Sequence, residues 1–163
     1  MLVDITIEDL GVIQRSSAEF AEGLTVLTGE TGAGKTMVVT GLRLLAGGRA
    51  DASRVRDGAE KAAVEGHFAT SHPQAAEVVE AVGGDPDENG EFIVSRTVSS
   101  AGRSRAYLGG RAVPAATLGE FSSNVLTVHG QNDQLRLLAP EQQLAAVDRS
   151  DPKIATVRQA YTE

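Results

Sequence analysis

The 163-residue chain contains no cysteine. That excludes a disulfide framework and any thiolate metal site, and it suits a reducing cytosol. Nowhere do 18 apolar residues run uninterrupted, and the opening MLVDITIEDL carries acids where a secretion signal carries a basic region. The expectation is therefore a chain that is neither secreted nor membrane-spanning, in a cytoplasmic setting. Positive charge is in deficit, with 15 Lys+Arg against 22 Asp+Glu and a net charge of -7, so broad attraction to nucleic acid or to an anionic membrane is excluded. Any such contact must be local. His67, His72 and His129 are scattered, with no ligand spacing on a shared face, and no serine sits in a nucleophile-elbow pattern. Internal repeats and low-complexity tracts are also absent.

What is present reads as one α/β domain. In the first residues Val3, Ile5 and Ile7 alternate with Leu2, Asp4 and Thr6, the pattern of a strand buried on one face. A second strand is expected over 15–20, a short apolar strand of mid-sheet character over 24–28, and a largely buried helix over 35–46 stopped by Gly47-Gly48. Alternation returns over 61–68. A helix then follows, with Ser71 as its N-cap, Pro73 in its first turn and Gly83-Gly84 past its end. DPDENG (85–90) is a solvated turn, and 92–98 with 104–108 form a hairpin around SSAGR. A further strand is expected over 125–128, a helix from Pro140 to about Val147, and a last helix over 153–163.

Between the apolar run at 24–28 and the helix lies Gly29-Glu30-Thr31-Gly32-Ala33-Gly34-Lys35-Thr36, which satisfies GxxxxGK[ST] with strand before and helix after. Glycines let the backbone close around a phosphate so that successive N–H groups point inward, and the helix N-terminus adds partial positive charge behind them. Lys35 can reach the β- and γ-phosphates, while the Thr36 hydroxyl can ligate a magnesium ion bridging them. The plain alternative is a glycine-rich turn that only caps a helix. A dinucleotide fingerprint fits less well, because Gly32-x-Gly34 is followed by Lys35-Thr36-Met37 with no third glycine.

The segments MLVDITIEDLGVI, GLTVLTGETGAGKT, GLRLLAGGRAD, GRSRAYLGGR and VHGQNDQ, in that order from Met1 to roughly Val147, resemble the N-terminal part of RecN-type DNA repair ATPases, relatives of the SMC proteins with ABC-type heads. The resemblance implies an incomplete P-loop NTPase head: an N-terminal lobe with an antiparallel β subdomain over 1–150, and from 151–163 the start of a helix leading toward a coiled coil. It implies ATP and magnesium as cofactors. A C-terminal lobe of the same head and a second head are the implied partners, with DNA as a further one, in a nucleoid-associated role in double-strand break repair and recombination. Carried over residue by residue, Gly29 to Thr36 form the Walker A loop. Gln131 matches the Q-loop glutamine that contacts magnesium or the attacking water, and Arg56 in RVRDG matches an arginine that approaches ATP, with Arg49 and Arg54 as competitors. No LSGGQ-like signature and no Walker B strand occurs, since LAAVD (144–148) is followed by Arg149 and reads as helix. ATP hydrolysis therefore belongs to a complete head, and this chain alone is expected to bind nucleotide without turning it over. Without a Walker B neighbour, the run at 24–28 is expected to leave an apolar edge.

Residues 92–119 hold Arg96, Arg103, Arg105 and Arg111 and no acid. A hairpin presenting Arg103 and Arg105 could meet DNA phosphates, and a solvated hairpin is the alternative. Three other functional readings stay open. The chain could be a fragment of another SMC- or RecF-like ATPase. It could instead be a self-contained small P-loop kinase, which would need a lid carrying arginines and an acceptor pocket. Lastly, it could be a non-enzymatic lobe that only binds a partner.

Overall fold

The computed structural model describes residues 1–28 and 33–128. The chain divides into two compact units, Met1–Val128 and His129–Glu163. The second unit lies outside the described residues, and with it the helices expected from Pro140 and Lys153 and the boundary at 150.

Among the described residues six strands form one antiparallel sheet: β1 (Leu2–Leu10), β2 (Ile13–Glu19), β3 (Lys61–Phe68), β4 (Phe92–Ser99), β5 (Ser104–Leu108) and β6 (Arg111–Val113). Their order is β2-β1-β3-β4-β5-β6. Alternation in the sequence becomes alternation of face: Ala62, Val64 and Phe68 of β3 and Phe92, Val94 and Val98 of β4 are all buried on the same side. Three helices, α1 (Ala33–Leu45), α2 (Pro73–Ala81) and α3 (Ala115–Val125), complete the layer. α1 lies against β1, β3 and β4, α3 against β5, and α2 against α3. At the centre Phe121 meets Phe68 and Phe92 edge-on, with ring centroids 5.8 and 5.9 Å away. Such T-shaped pairs add to the burial of the rings themselves.

Several expectations are corrected. Residues 24–28 form no strand: Leu24 is 88% exposed, Val26 68% and Leu27 49%, because no described strand offers them a ladder. Val125 ends α3, Leu126 after it is extended, and 126–128 take part in no strand, so 125–128 is not a strand either. Ser71 is not the N-cap of α2. His72 holds that position without a side-chain cap, and Thr70 Oγ1 accepts from its N–H at 3.1 Å. α1 is amphipathic rather than largely buried, with Met37, Leu44 and Leu45 inside and Val39 exposed. The helix α3 and strand β6 have no counterpart in the sequence reading.

Candidate nucleotide site at the N-terminus of α1

Gly34, Lys35 and Thr36 lie exposed in the first turn of α1, where backbone N–H groups have no partner inside the helix. No acidic residue occupies that turn. The partial positive charge there is therefore uncompensated by the helix's own side chains, which suits an anion. Thr40 Oγ1 donates to the Thr36 carbonyl at 2.8 Å, one turn on, and leaves the Thr36 hydroxyl outside that bond. Gly34 is helical, and a Cβ added to it would meet nothing within 4 Å. Among the described residues, neither backbone geometry nor packing demands glycine at this position.

The turn between β1 and β2 approaches the same helix end. Gly11 has φ +57, and a Cβ there would sit 2.4 Å from Met37 Sδ, so the turn presses on the residue directly after Thr36. Beside this turn runs the segment carrying Arg56. The Gly11 N–H donates to the Arg54 carbonyl at 2.6 Å, the Arg56 N–H to the Asp9 carbonyl at 2.8 Å, and Leu10 bridges Val55. Asp9 takes a left-handed φ of 50, which aspartate tolerates and which turns Leu10 rather than Asp9 into the core.

A 3-10 turn at Ala52–Arg54 leads into Arg56 and is capped by Asp51, whose Oδ1 accepts from the Ser53 N–H at 3.0 Å and the Ser53 hydroxyl at 2.7 Å. These bonds, the hydroxyl's first, hold the Asp51 carboxyl below its usual range, with Arg54 adding a smaller electrostatic share. Arg54 is drawn to Asp51 at 3.8 Å and Arg49 is exposed. The backbones of both Arg54 and Arg56 are fixed to the β1–β2 turn that touches α1, and of these two the Arg54 side chain is drawn to Asp51.

The structure thus brings Gly34, Lys35, Thr36 and the Arg56 segment to one end of α1. Gly29, Glu30, Thr31, Gly32 and Gln131 lie outside the described residues; Ala33 opens the helix. Arg103 and Arg105 are exposed on the β4–β5 hairpin, at some distance in sequence and fold from α1. They line a cleft of about 650 Å³ together with Lys61, Thr97, Tyr107 and Glu60.

Two features escaped the sequence reading. His67 Nδ1 lies 2.8 and 2.9 Å from the two carboxylate oxygens of Asp4, across the β1–β3 ladder. That hydrogen bond raises the imidazole pKa against a smaller opposing effect of burial. Arg96 is buried, and its place in phase with Phe92, Val94 and Val98 was the signal for it.

An antiparallel sheet backed by helices, with an anion-ready helix start at one end, is the architecture of an ATPase-head lobe. The same fold occurs in a solved SMC ATPase structure, with a TM-score of 0.64 and 16% identity over 92% of this chain and 99% of that one. It recurs in the RecF–ATP structure, with a TM-score of 0.61 and 17% identity over 91% of this chain and 38% of that one. The family model described as an AAA domain matches residues 4–159, and the chain belongs to that family. It is 59% identical over 155 residues to the DNA repair protein RecN of Mycobacterium leprae, covering 91% of this chain and 26% of that relative. The resemblance to RecN-type proteins is borne out, and so is the α/β ATPase-head fold. The chain spans about a quarter of the length of the curated relatives it matches. Among the described residues no helix is long and apolar enough to cross a membrane.

Proposed function

We propose that the start of α1, with the glycine loop before it, binds the triphosphate of ATP within a RecN-like DNA repair ATPase. The observation that carries this reading is Gly34. A glycine inside a helix costs up to about 1 kcal/mol relative to alanine, and here neither the backbone nor a neighbour among the described residues asks for it. Close approach by a ligand supplies the missing reason, and phosphate suits the exposed N–H groups, Lys35 and Thr36 around it.

In this reading the amides of Gly29, Glu30, Thr31, Gly32, Ala33 and Gly34 surround the phosphates, and Lys35 places its ammonium on the β- and γ-oxygens. Thr36 and Gln131 would hold magnesium, which when bound neutralises phosphate charge. Gln131 orients a water without changing charge, and Arg56 offers a guanidinium to the charge that builds on the transferred group. The residues present fit a binding role. Catalytic turnover calls for a carboxylate base and a signature motif, which this chain lacks, and so for a C-terminal lobe and a second head. The exposed apolar run Leu24, Val26 and Leu27 supports such completion. Arg103 and Arg105 serve as DNA phosphate contacts in a cleft where Lys61 adds a third cation, with affinity that falls as salt rises. The setting is cytoplasmic, at the nucleoid, in double-strand break repair by recombination.

Mixing this chain with one carrying signature and Walker B motifs tests the assignment. Hydrolysis of ATP should appear on mixing and disappear with Lys35→Ala. Equal hydrolysis by this chain alone, or turnover indifferent to Lys35→Ala, would count against it.

A further inference from the structure

Arg96 is 4% exposed, on the helix-covered face of β4. Its Nη2 donates to Ser104 Oγ at 3.3 Å, a long bond. Nε and Nη1 are buried and have no acceptor among the described residues. Burial pulls the guanidinium's pKa down, yet a guanidinium does not surrender its proton near neutral pH, so the cation stays. Three N–H donors and a full charge are thereby left without a counterpart among the described residues, a state that buried polar groups almost never keep.

The side chain borders a cavity of about 400 Å³ whose other walls include Ser104, Ala106, Val113 and Pro114, together with Tyr107 and the exposed Arg105. Among the described residues, none that lines the cavity is acidic. Ser104 is exposed, so its hydroxyl is free to turn toward an arriving group. The apolar walls suit a short alkyl stem, and a single buried guanidinium balances a single negative charge. A phosphate dianion would bring a second charge, and the other cation in the described walls, Arg105, is exposed to water rather than buried.

We propose that the Arg96 cavity is a carboxylate-binding site, filled by a monoanionic carboxylate that is either a free small acid or an acidic side chain on a protein segment. It is separate from the nucleotide site at α1. Binding would convert an uncompensated buried cation into a hydrogen-bonded ion pair, so occupancy stabilises the lobe by mass action.

Thermal unfolding of the 163-residue chain tests this with four additions at matched pH and ionic strength: propionate, the blocked tripeptide acetyl-Ala-Glu-Ala-amide, inorganic phosphate and chloride. A saturable rise in Tm is expected with propionate or the tripeptide and not with the two inorganic anions. The stronger of the two carboxylates indicates whether the source is free or protein-borne. Arg96→Met should abolish the response while raising the Tm in the absence of added carboxylate, because a well-packed apolar side chain replaces an unpaired charge. Should that variant not fold, the arginine Nε–H resonances of the native chain supply the second measurement, and one of them should move saturably with propionate. Equal shifts with phosphate and propionate, no buried Nε–H that responds, or an Arg96→Met variant that responds like the native chain would overturn the proposal.

Discussion

Gly34 separates what folding asks of a residue from what binding asks of it. Among the described residues alanine fits its site without a contact inside 4 Å, and a helix prefers alanine to glycine by about 0.5–1 kcal/mol. Gly34→Ala is therefore expected to leave thermal stability unchanged or raise it by that amount, while nucleotide binding falls at least about tenfold because a methyl group enters the space of the phosphate. Paired unfolding and titration curves check both halves. A loss of stability would place the role of Gly34 in the fold instead.

His67 makes a second residue-scale prediction. Its folded pKa is raised from 6.5, first by the hydrogen bond to Asp4. A raised pKa means that the folded state holds the proton more tightly. The resulting stabilisation is complete below the unfolded value and is lost as pH climbs through the folded one. Unfolding midpoints should therefore drop between mildly acidic and mildly alkaline buffer, and Asp4→Asn should flatten that part of the curve. An imidazole titration followed by NMR should give a midpoint above 6.5; a midpoint at or below it would contradict the pairing.

Among the elements, α3 decides whether the core closes. Leu118 and Phe121 are fully buried, and Phe121 links the rings of Phe68 and Phe92 from two neighbouring strands. Phe121→Ala should cost roughly 3–5 kcal/mol, read from denaturant unfolding, while an exposed substitution on the same helix such as Ser123→Ala should stay within about 0.5 kcal/mol. This helix was hard to read because Gly119, Ser122, Ser123 and Asn124 dilute its apolar stripe, although Leu118, Phe121 and Val125 keep helical spacing. By contrast β3 matches its expected bounds of 61–68, and the β4–β5 hairpin matches apart from one residue, since strict alternation admits only one assignment. β6 follows from Gly109-Gly110, both at positive φ in a two-residue hairpin turn, a signal present in LGGR. The misread runs at 24–28 and 125–128 share a cause. Apolar, β-branched residues state a capacity for burial, and a strand also needs a neighbour's hydrogen-bonding edge, which composition does not report.

On the scale of the molecule, the proposed nucleotide site draws on three stretches distant in sequence that the structure brings together: the β1–β2 turn, the start of α1 and the segment through Arg56. The motif at 29–36 was legible because its chemistry is local, whereas the seating of Gly11 against Met37 was not, because it depends on how α1 crosses the sheet. The roles of Lys35, Thr36, Arg56 and Gln131 rest on the resemblance to RecN-type heads, in a chain that spans about a quarter of those relatives.

The central claim is that main-chain amides, an ammonium and a hydroxyl at the start of α1 hold the triphosphate of ATP. Calorimetric titration of magnesium-ATP into the native chain and into a Lys35→Ala, Thr36→Ala variant of matched fold tests it most directly. Saturable heat is expected from the native chain, with affinity reduced at least about tenfold, or lost, in the variant. Indistinguishable isotherms for the two proteins would contradict the account.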